Sequence, residues 1–126
     1  MIGNRKKRIN ARGSSGEDIA VKYLQTHGYR VLDRNFTTSV GEVDIFVTDE
    51  STLIAVEVKS RLSLEYGTPA EAVNYEKIKK ISQVTSQYIK KFRLFGTPVR
   101  FDVVEVYIAD KTVNHIKNAF DSYLRY

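Results

Sequence analysis

A carboxylate and an amine stand two residues apart in this chain of 126 residues, at a spacing that suits phosphodiester chemistry. Glu57 and Lys59 end the run IAVEVK, which is otherwise apolar. On a strand they would point to the same face, roughly 6.6 Å apart along the chain. Placing two charged groups beside a buried strand is costly unless something binds them. A divalent cation and a phosphate would bind them.

Two further acidic residues complete a candidate metal site. Asp44 ends the sequence GEVD, and Glu17 lies in a predicted helix. Mg²⁺, or Mn²⁺, prefers oxygen ligands and takes one or two protein carboxylates with waters and substrate phosphate. Asp44, Glu57 and the backbone carbonyl of Val58 are therefore the candidate ligands. The ion would polarise the scissile phosphate and lower the pKa of a bound water.

The remaining members of the predicted catalytic set, Glu17 and Lys59, would assist this chemistry. Lys59 would orient the water or stabilise the charge that develops on the phosphate. Glu17 would hold a metal-bound water or a second ion. Each residue also has a structural explanation: the helix macrodipole favours Glu17, Asp44 could be an acid at a strand edge, and Glu57 with Lys59 could be a structural ion pair.

The charge distribution favours a polyanionic partner. The formal net charge is +5, and basic residues gather at positions 5–8 and 77–93. We predict nucleic-acid contacts from the following residues: Arg61, Tyr66, Lys77, Lys79 and Lys80. The lysines would line a groove along a phosphate backbone, Arg61 would contact a phosphate, and Tyr66 would stack on a base or sugar. The alternative for the lysines is a solvated helix face.

The apolar pattern predicts the element order α-β-β-β-α-β-β. Residues 1–13 are predicted to form a flexible basic arm, and residues 14–126 a single domain. Ser14 or Ser15 would cap the first helix, with Gly28 at its end. The predicted strands cover 29–35, 42–48, 52–60, 99–107 and 112–116, with 53–58 as a central strand buried on both sides. The second helix would start at 68–71, break near Asn74 and end at about Phe92.

Other polar residues are interpreted as structural. Arg100 and Asp102 repeat the two-residue spacing on a strand and are predicted to form a salt bridge. His27 and His115 lack partners at metal-ligand spacing and receive no role.

Composition indicates the class of protein. Apolar residues make up 42% and charged residues 28%, as in ordinary globular domains. No apolar run approaches 18 residues and no secretory signal is present, so we expect no membrane segment. The chain has no cysteine, which is typical of a cytoplasmic protein.

A homodimer could cut both strands of a branched substrate, with an apolar edge strand near 103–107 as one candidate interface.

The spaced motifs resemble those of the bacterial YraN family. They are GE at 16–17, GEVD at 41–44, VEVKSR at 56–61, YG at 66–67 and RFDVV at 100–104. That family is grouped with the PD-(D/E)XK nuclease superfamily, as are archaeal Holliday junction resolvases. The residue before Asp44 is Val43 rather than the proline of the superfamily's motif.

This resemblance implies a restriction-endonuclease-like α/β fold, with a mixed β-sheet flanked by helices. It also implies a Mg²⁺-dependent endonuclease that hydrolyses phosphodiester bonds in DNA, including branched or structured DNA. Carried over by position, Glu17 matches the helix acid, Asp44 and Glu57 the metal ligands, and Lys59 the catalytic lysine. The alternative is a nucleic-acid-binding module with a nuclease-like fold and no cleavage activity of its own.

Overall fold

The computed structural model of the chain describes residues 11–62 and 74–121, which form two helices and five strands. In chain order they are α1 (Ala11–Thr26), β1 (Arg30–Thr37), β2 (Glu42–Thr48), β3 (Leu53–Arg61), α2 (Tyr75–Phe92), β4 (Val99–Tyr107) and β5 (Thr112–Ile116). The predicted order α-β-β-β-α-β-β is confirmed.

The helix ends agree with the sequence only in part. Helix α1 begins at Ala11, so the predicted start at Ser14 or Ser15 is wrong; alanine and arginine favour a helix and extend it by a turn. Gly28 has φ +91°, the left-handed conformation expected of a glycine that closes a helix. Asn74, where the sequence predicts a break, is the N-cap of α2, since its side chain accepts a hydrogen bond from Lys77 N. The predicted helix start at 68–71, and residues 1–10 of the predicted arm, lie outside the described residues.

The five strands form one mixed sheet in the order β1-β2-β3-β4-β5. Strands β3 and β4 are parallel, while the other neighbouring pairs are antiparallel. A parallel pair needs a long crossover, and α2 lies in it. Strand β4 is paired on both sides, so the expectation of an edge strand near 103–107 is wrong; the edges of the sheet are β1 and β5.

Apolar side chains cover both faces of the sheet. The cluster on the α2 face consists of Val43, Phe46, Leu53, Ala55, Ile81, Val84, Tyr88, Ile89 and Phe101. The cluster on the α1 face consists of Ala20, Leu24, Ile45, Val47, Ile54, Val56, Val104 and Val106. Residues 53–56 of β3 alternate between the two clusters, as expected of a central strand buried on both sides. Neither helix in the described ranges has the length and apolar character needed to cross a membrane.

Candidate active site

Asp44, the first carboxylate of the site, lies where strands β2 and β3 separate. The pairing of these strands ends with Ile45 opposite Val56. One residue beyond that pair, Asp44 Oδ2 accepts a hydrogen bond of 2.8 Å from Val58 N–H. The side chain thus supplies the acceptor for an amide that would otherwise pair with a backbone carbonyl. This bond fixes the carboxylate against β3 and leaves Oδ1 for another partner.

Glu57, the second carboxylate, faces helix α2 from the centre of β3. Its side chain is only 10% exposed, and its Oε2 lies 2.5 Å from Lys77 Nζ. Lys77 stands in the first turn of α2, where the Asn74 cap fixes the backbone. Glu57 thus pairs with a lysine 20 positions away, and not with Lys59, which was the structural alternative for this residue.

The two carboxylates lie close enough to influence each other's charge. Burial raises the pKa of Asp44, and the charge of Glu57 raises it further, to about 8. The hydrogen bond from Val58 lowers this pKa, but not enough to reverse the effect. The pKa of Lys77 is raised because its ammonium donates a hydrogen bond to Glu57. The site therefore holds more potential negative charge than its own lysine neutralises, and a second cation would be stabilised there.

Both carboxylates open into a cleft of about 450 Å³ between the sheet and the start of α2. Its described lining residues are Gly41, Glu42, Asp44, Glu57, Asn74, Glu76, Lys77, Lys80 and Ile81. Of the three helix lysines predicted to contact nucleic acid, Lys77 and Lys80 line this cleft, while Lys79 lies on α2 outside the lining. Tyr66 lies outside the described residues.

Glu17 approaches the site from the opposite helix, α1. Its Oε1 accepts hydrogen bonds from Arg34 Nη2 at 3.3 Å and from Asn35 Nδ2 at 3.1 Å. Its charge is one of those that raise the pKa of Asp44. The preceding Gly16 lets α1 lie close to β3, because a Cβ atom at this position would meet Ser60 Oγ at 2.0 Å. Glu17 is thus near Asp44 but is held by strand β1.

Lys59 and Arg61 continue the α2 face of β3 beyond Glu57. Lys59 is half-buried and lies opposite Glu105 of β4. It is not among the described residues that line the cleft. Arg61 Nε lies 3.7 Å from Glu105 Oε2. Glu105 is buried, and its Oε1 accepts hydrogen bonds from Tyr107 and Asn114. The structure therefore places a buried acid, Glu105, beside Arg61 and opposite Lys59 in the strand register.

The donor set suits a hard divalent cation. Within residues 11–62 and 74–121, no three His, Cys, Asp or Glu side chains are arranged to hold a metal ion. Asp44 and Glu57 nevertheless offer two carboxylates, and the Val58 carbonyl is the third predicted ligand. Mg²⁺ commonly binds through one or two carboxylates and completes its shell with water and phosphate. The raised pKa of Asp44 is a second indication that a cation would be stabilised here.

A separate polar cluster surrounds Asp102 on the α1 face. Arg100 donates two hydrogen bonds to its carboxylate, of 2.9 and 2.8 Å, so the predicted salt bridge is confirmed. His115 Nε2 lies 2.8 Å from Asp102 Oδ2, and Asn118 N–H donates to Oδ1. Burial alone would raise the pKa of Asp102, but the hydrogen bonds from His115 and Arg100 lower it to about 2. His115, which the sequence left without a partner, thus has a structural one.

Some of the missed contacts carried a sequence signal and others did not. Lys77, Lys80 and Ile81 recur at helical spacing, so a buried Ile81 indicates that both lysines turn towards the sheet. The contacts of Glu17 with Arg34 and of Asp102 with His115 join residues 17 and 13 positions apart. No local pattern predicts such pairs, because they depend on how the elements pack.

Comparison with known proteins assigns the chain to a protein family. The family model described as "Uncharacterised protein family UPF0102" matches residues 16–106, a segment that includes both carboxylates of the cleft. A UPF0102 protein of Clostridioides difficile (strain 630) is 48% identical over 109 residues, which cover 86% of this chain and 96% of the relative. A UPF0102 protein of Persephonella marina is 44% identical over 110 residues, covering 87% and 93%. A third, from Clostridium beijerinckii, is 46% identical over 119 residues, covering 90% and 97%. The chain therefore belongs to the UPF0102 family, which is the YraN family that its motifs resemble.

Proposed function

We propose that this protein is a metal-dependent endonuclease that hydrolyses phosphodiester bonds in DNA, with branched or structured DNA as its substrate. The observation that carries the proposal is the convergence of Asp44 and Glu57 in one cleft that is also lined by Lys77 and Lys80. Two carboxylates would suit a divalent metal ion, and the two amines beside them would suit a phosphate. The motifs shared with the PD-(D/E)XK superfamily support the same reaction class.

In this proposal the residues divide the work by position. Asp44, Glu57 and the Val58 carbonyl hold Mg²⁺ or Mn²⁺, which when bound supplies a Lewis acid for the phosphate and the attacking water. Lys59 stands beyond Glu57 on the same face of β3 and stabilises the charge that grows on the phosphate. Glu17 takes a supporting role beside Asp44, and Lys80 contacts the DNA backbone at the rim of the cleft.

The test is a cleavage assay on labelled linear, flapped and four-way DNA, with Mg²⁺ and Mn²⁺ titrated separately. We expect a metal-dependent cut that is lost in Glu57→Gln and Lys59→Ala. Glu50→Gln, an exposed acid in the β2–β3 turn, serves as the matched control and should cut like the parent protein. Cleavage that survives in Glu57→Gln would refute the assigned metal ligand.

The same assay separates the alternative function. A nucleic-acid-binding module would bind these DNAs with strong salt dependence and leave them intact at every metal concentration.

A homodimer is a further part of the proposal, because two clefts are needed to cut both strands of a junction. Sedimentation equilibrium with and without a four-way DNA measures this directly, and a monomer that cuts both strands of the junction would argue against it.

A further inference from the structure

The ion pair between Lys77 and Glu57 is asymmetric. The Glu57 side chain is 10% exposed, whereas that of Lys77 is 45% exposed. The lysine has a flexible four-carbon stem that can carry its ammonium into water. The glutamate is fixed on a central strand and has no comparable freedom. If the pair separates, Lys77 is therefore the partner that moves.

Lys77 also stands where a metal would have to bind. Its Nζ lies 2.5 Å from Glu57 Oε2, in the cleft that Asp44 shares. A Mg²⁺ ion needs its ligand oxygens at about 2.0–2.1 Å. An ammonium and a divalent ion on one carboxylate oxygen would repel each other strongly in a partly buried site. Glu57 Oε2 can therefore serve the lysine or the metal, but not both in this geometry.

We propose that Lys77 is an internal counter-cation that occupies the metal position beside Glu57, is displaced when the divalent ion binds, and then becomes available to a phosphate of the substrate. This inference rests on the proposed metal site and adds that the Lys77 ammonium and the divalent ion compete for Glu57. Without metal, Lys77 offsets the repulsion between Asp44 and Glu57. With metal, its ammonium moves away from Glu57 Oε2 within the cleft that Lys80 also lines.

The competition has a direct thermodynamic consequence. Any cation that must be displaced weakens the binding of its competitor, so removing Lys77 should strengthen metal binding. Because Lys77 is nearly half exposed, we expect a modest effect of about three- to tenfold in Mn²⁺ affinity. Lys80 provides a matched control, since it lines the same cleft three residues later on the same helix. Its removal changes the charge near the site to a similar extent.

The test compares Lys77→Met and Lys80→Met with the parent protein by Mn²⁺ titration followed by electron paramagnetic resonance. We expect Lys77→Met to bind three- to tenfold more tightly and Lys80→Met to change less than about twofold. Thermal unfolding in EDTA gives a readout that is independent of cleavage. In EDTA Lys77→Met should melt below the parent protein, and in EDTA-free buffer added Mn²⁺ should raise the melting temperature of the variant by more than that of the parent.

The outcomes distinguish this inference from the proposed function. If the parent protein binds Mn²⁺ and Lys77→Met binds it no better, or if the two variants shift equally, the competition is refuted while the metal site stands. If neither the parent protein nor Lys77→Met binds Mn²⁺, the metal-dependent function and the inference both fall. If Lys77→Met alone binds Mn²⁺, the lysine is confirmed as the occupant.

Discussion

Replacing the carboxyl group of Asp44 with a neutral amide should stabilise the metal-free protein. Burial and the nearby Glu57 raise the pKa of this carboxyl from its ordinary value of 3.8 to about 8. An acid whose pKa is higher in the folded state opposes folding once the unfolded chain ionises it. The cost is absent below about pH 4, grows as the pH rises and is complete above about pH 8.

The size of the stabilisation follows from the difference between the assay pH and the pKa of the unfolded carboxyl. In the unfolded chain the carboxyl has its ordinary pKa of 3.8, which lies about three units below pH 7. At about 1.4 kcal/mol per unit, ionisation of the unfolded chain lowers the free energy of unfolding by at most about 4 kcal/mol. Asp44→Asn keeps an oxygen that can accept the hydrogen bond from Val58. We therefore expect this variant to gain about 1–4 kcal/mol in the free energy of unfolding at pH 7.

Urea unfolding in EDTA at pH 7 and pH 4 measures this gain. The advantage of Asp44→Asn should be present at pH 7 and largely gone at pH 4. In EDTA-free buffer at pH 7, Mn²⁺ should stabilise the parent protein but not the variant. Glu50→Gln, which removes an exposed acid from the β2–β3 turn, should change stability by less than about 0.5 kcal/mol. The reasoning would be refuted if Asp44→Asn were less stable than its parent at pH 7, or if its gain in stability over the parent were the same at both pH values.

Three further substitutions test the elements that position the site, each by chemical denaturation. Asp102→Asn should lower the free energy of unfolding by about 2 kcal/mol at pH 6. Because the pKa of Asp102 in the folded state is lowered to about 2, this loss should shrink as the pH falls from 4 towards 2, and a loss that stays constant would contradict the prediction. Gly16→Ala brings a Cβ against Ser60 Oγ, so Gly16→Ala should be more stable by about 1 kcal/mol when combined with Ser60→Ala than when made alone; equal stability would contradict the contact. Asn74→Ala should cost about 1 kcal/mol by uncapping α2, and Asn74→Asp should retain most of the stability; equal losses in both would argue against the cap.

The fold was predictable because its elements carry local signals. Strands β2, β4 and β5 have the predicted bounds, since alternating apolar residues and flanking turns mark them clearly. The start of α1 was missed because Ser14 and Ser15 look like caps, whereas the helix continues through them to Ala11. The choice of edge strand was also missed. The order of strands in a sheet depends on crossovers, which periodicity along the chain does not record.

The acids of the candidate site were predictable, but the lysine that pairs with Glu57 was not. Asp44 and Glu57 interrupt apolar strands, and such interruptions are visible in a single sequence. The partner of Glu57 is Lys77 from the crossover helix, and Lys59 instead stands opposite Glu105. The rotation of a helix about its axis decides which lysine reaches a carboxylate. That rotation follows from the packing of Ile81 and Val84 against the sheet.

The hydrogen bond between Asp44 and Val58 makes one amide a natural reporter. The bond lies where β2 and β3 separate, so one side chain joins the two strands there in place of backbone hydrogen bonds. A ligand that draws the carboxylate away would free the Val58 N–H, whose hydrogen exchange and amide chemical shift would then change. Occupancy of the cleft could thus be followed by nuclear magnetic resonance in a protein that has no tryptophan for fluorescence.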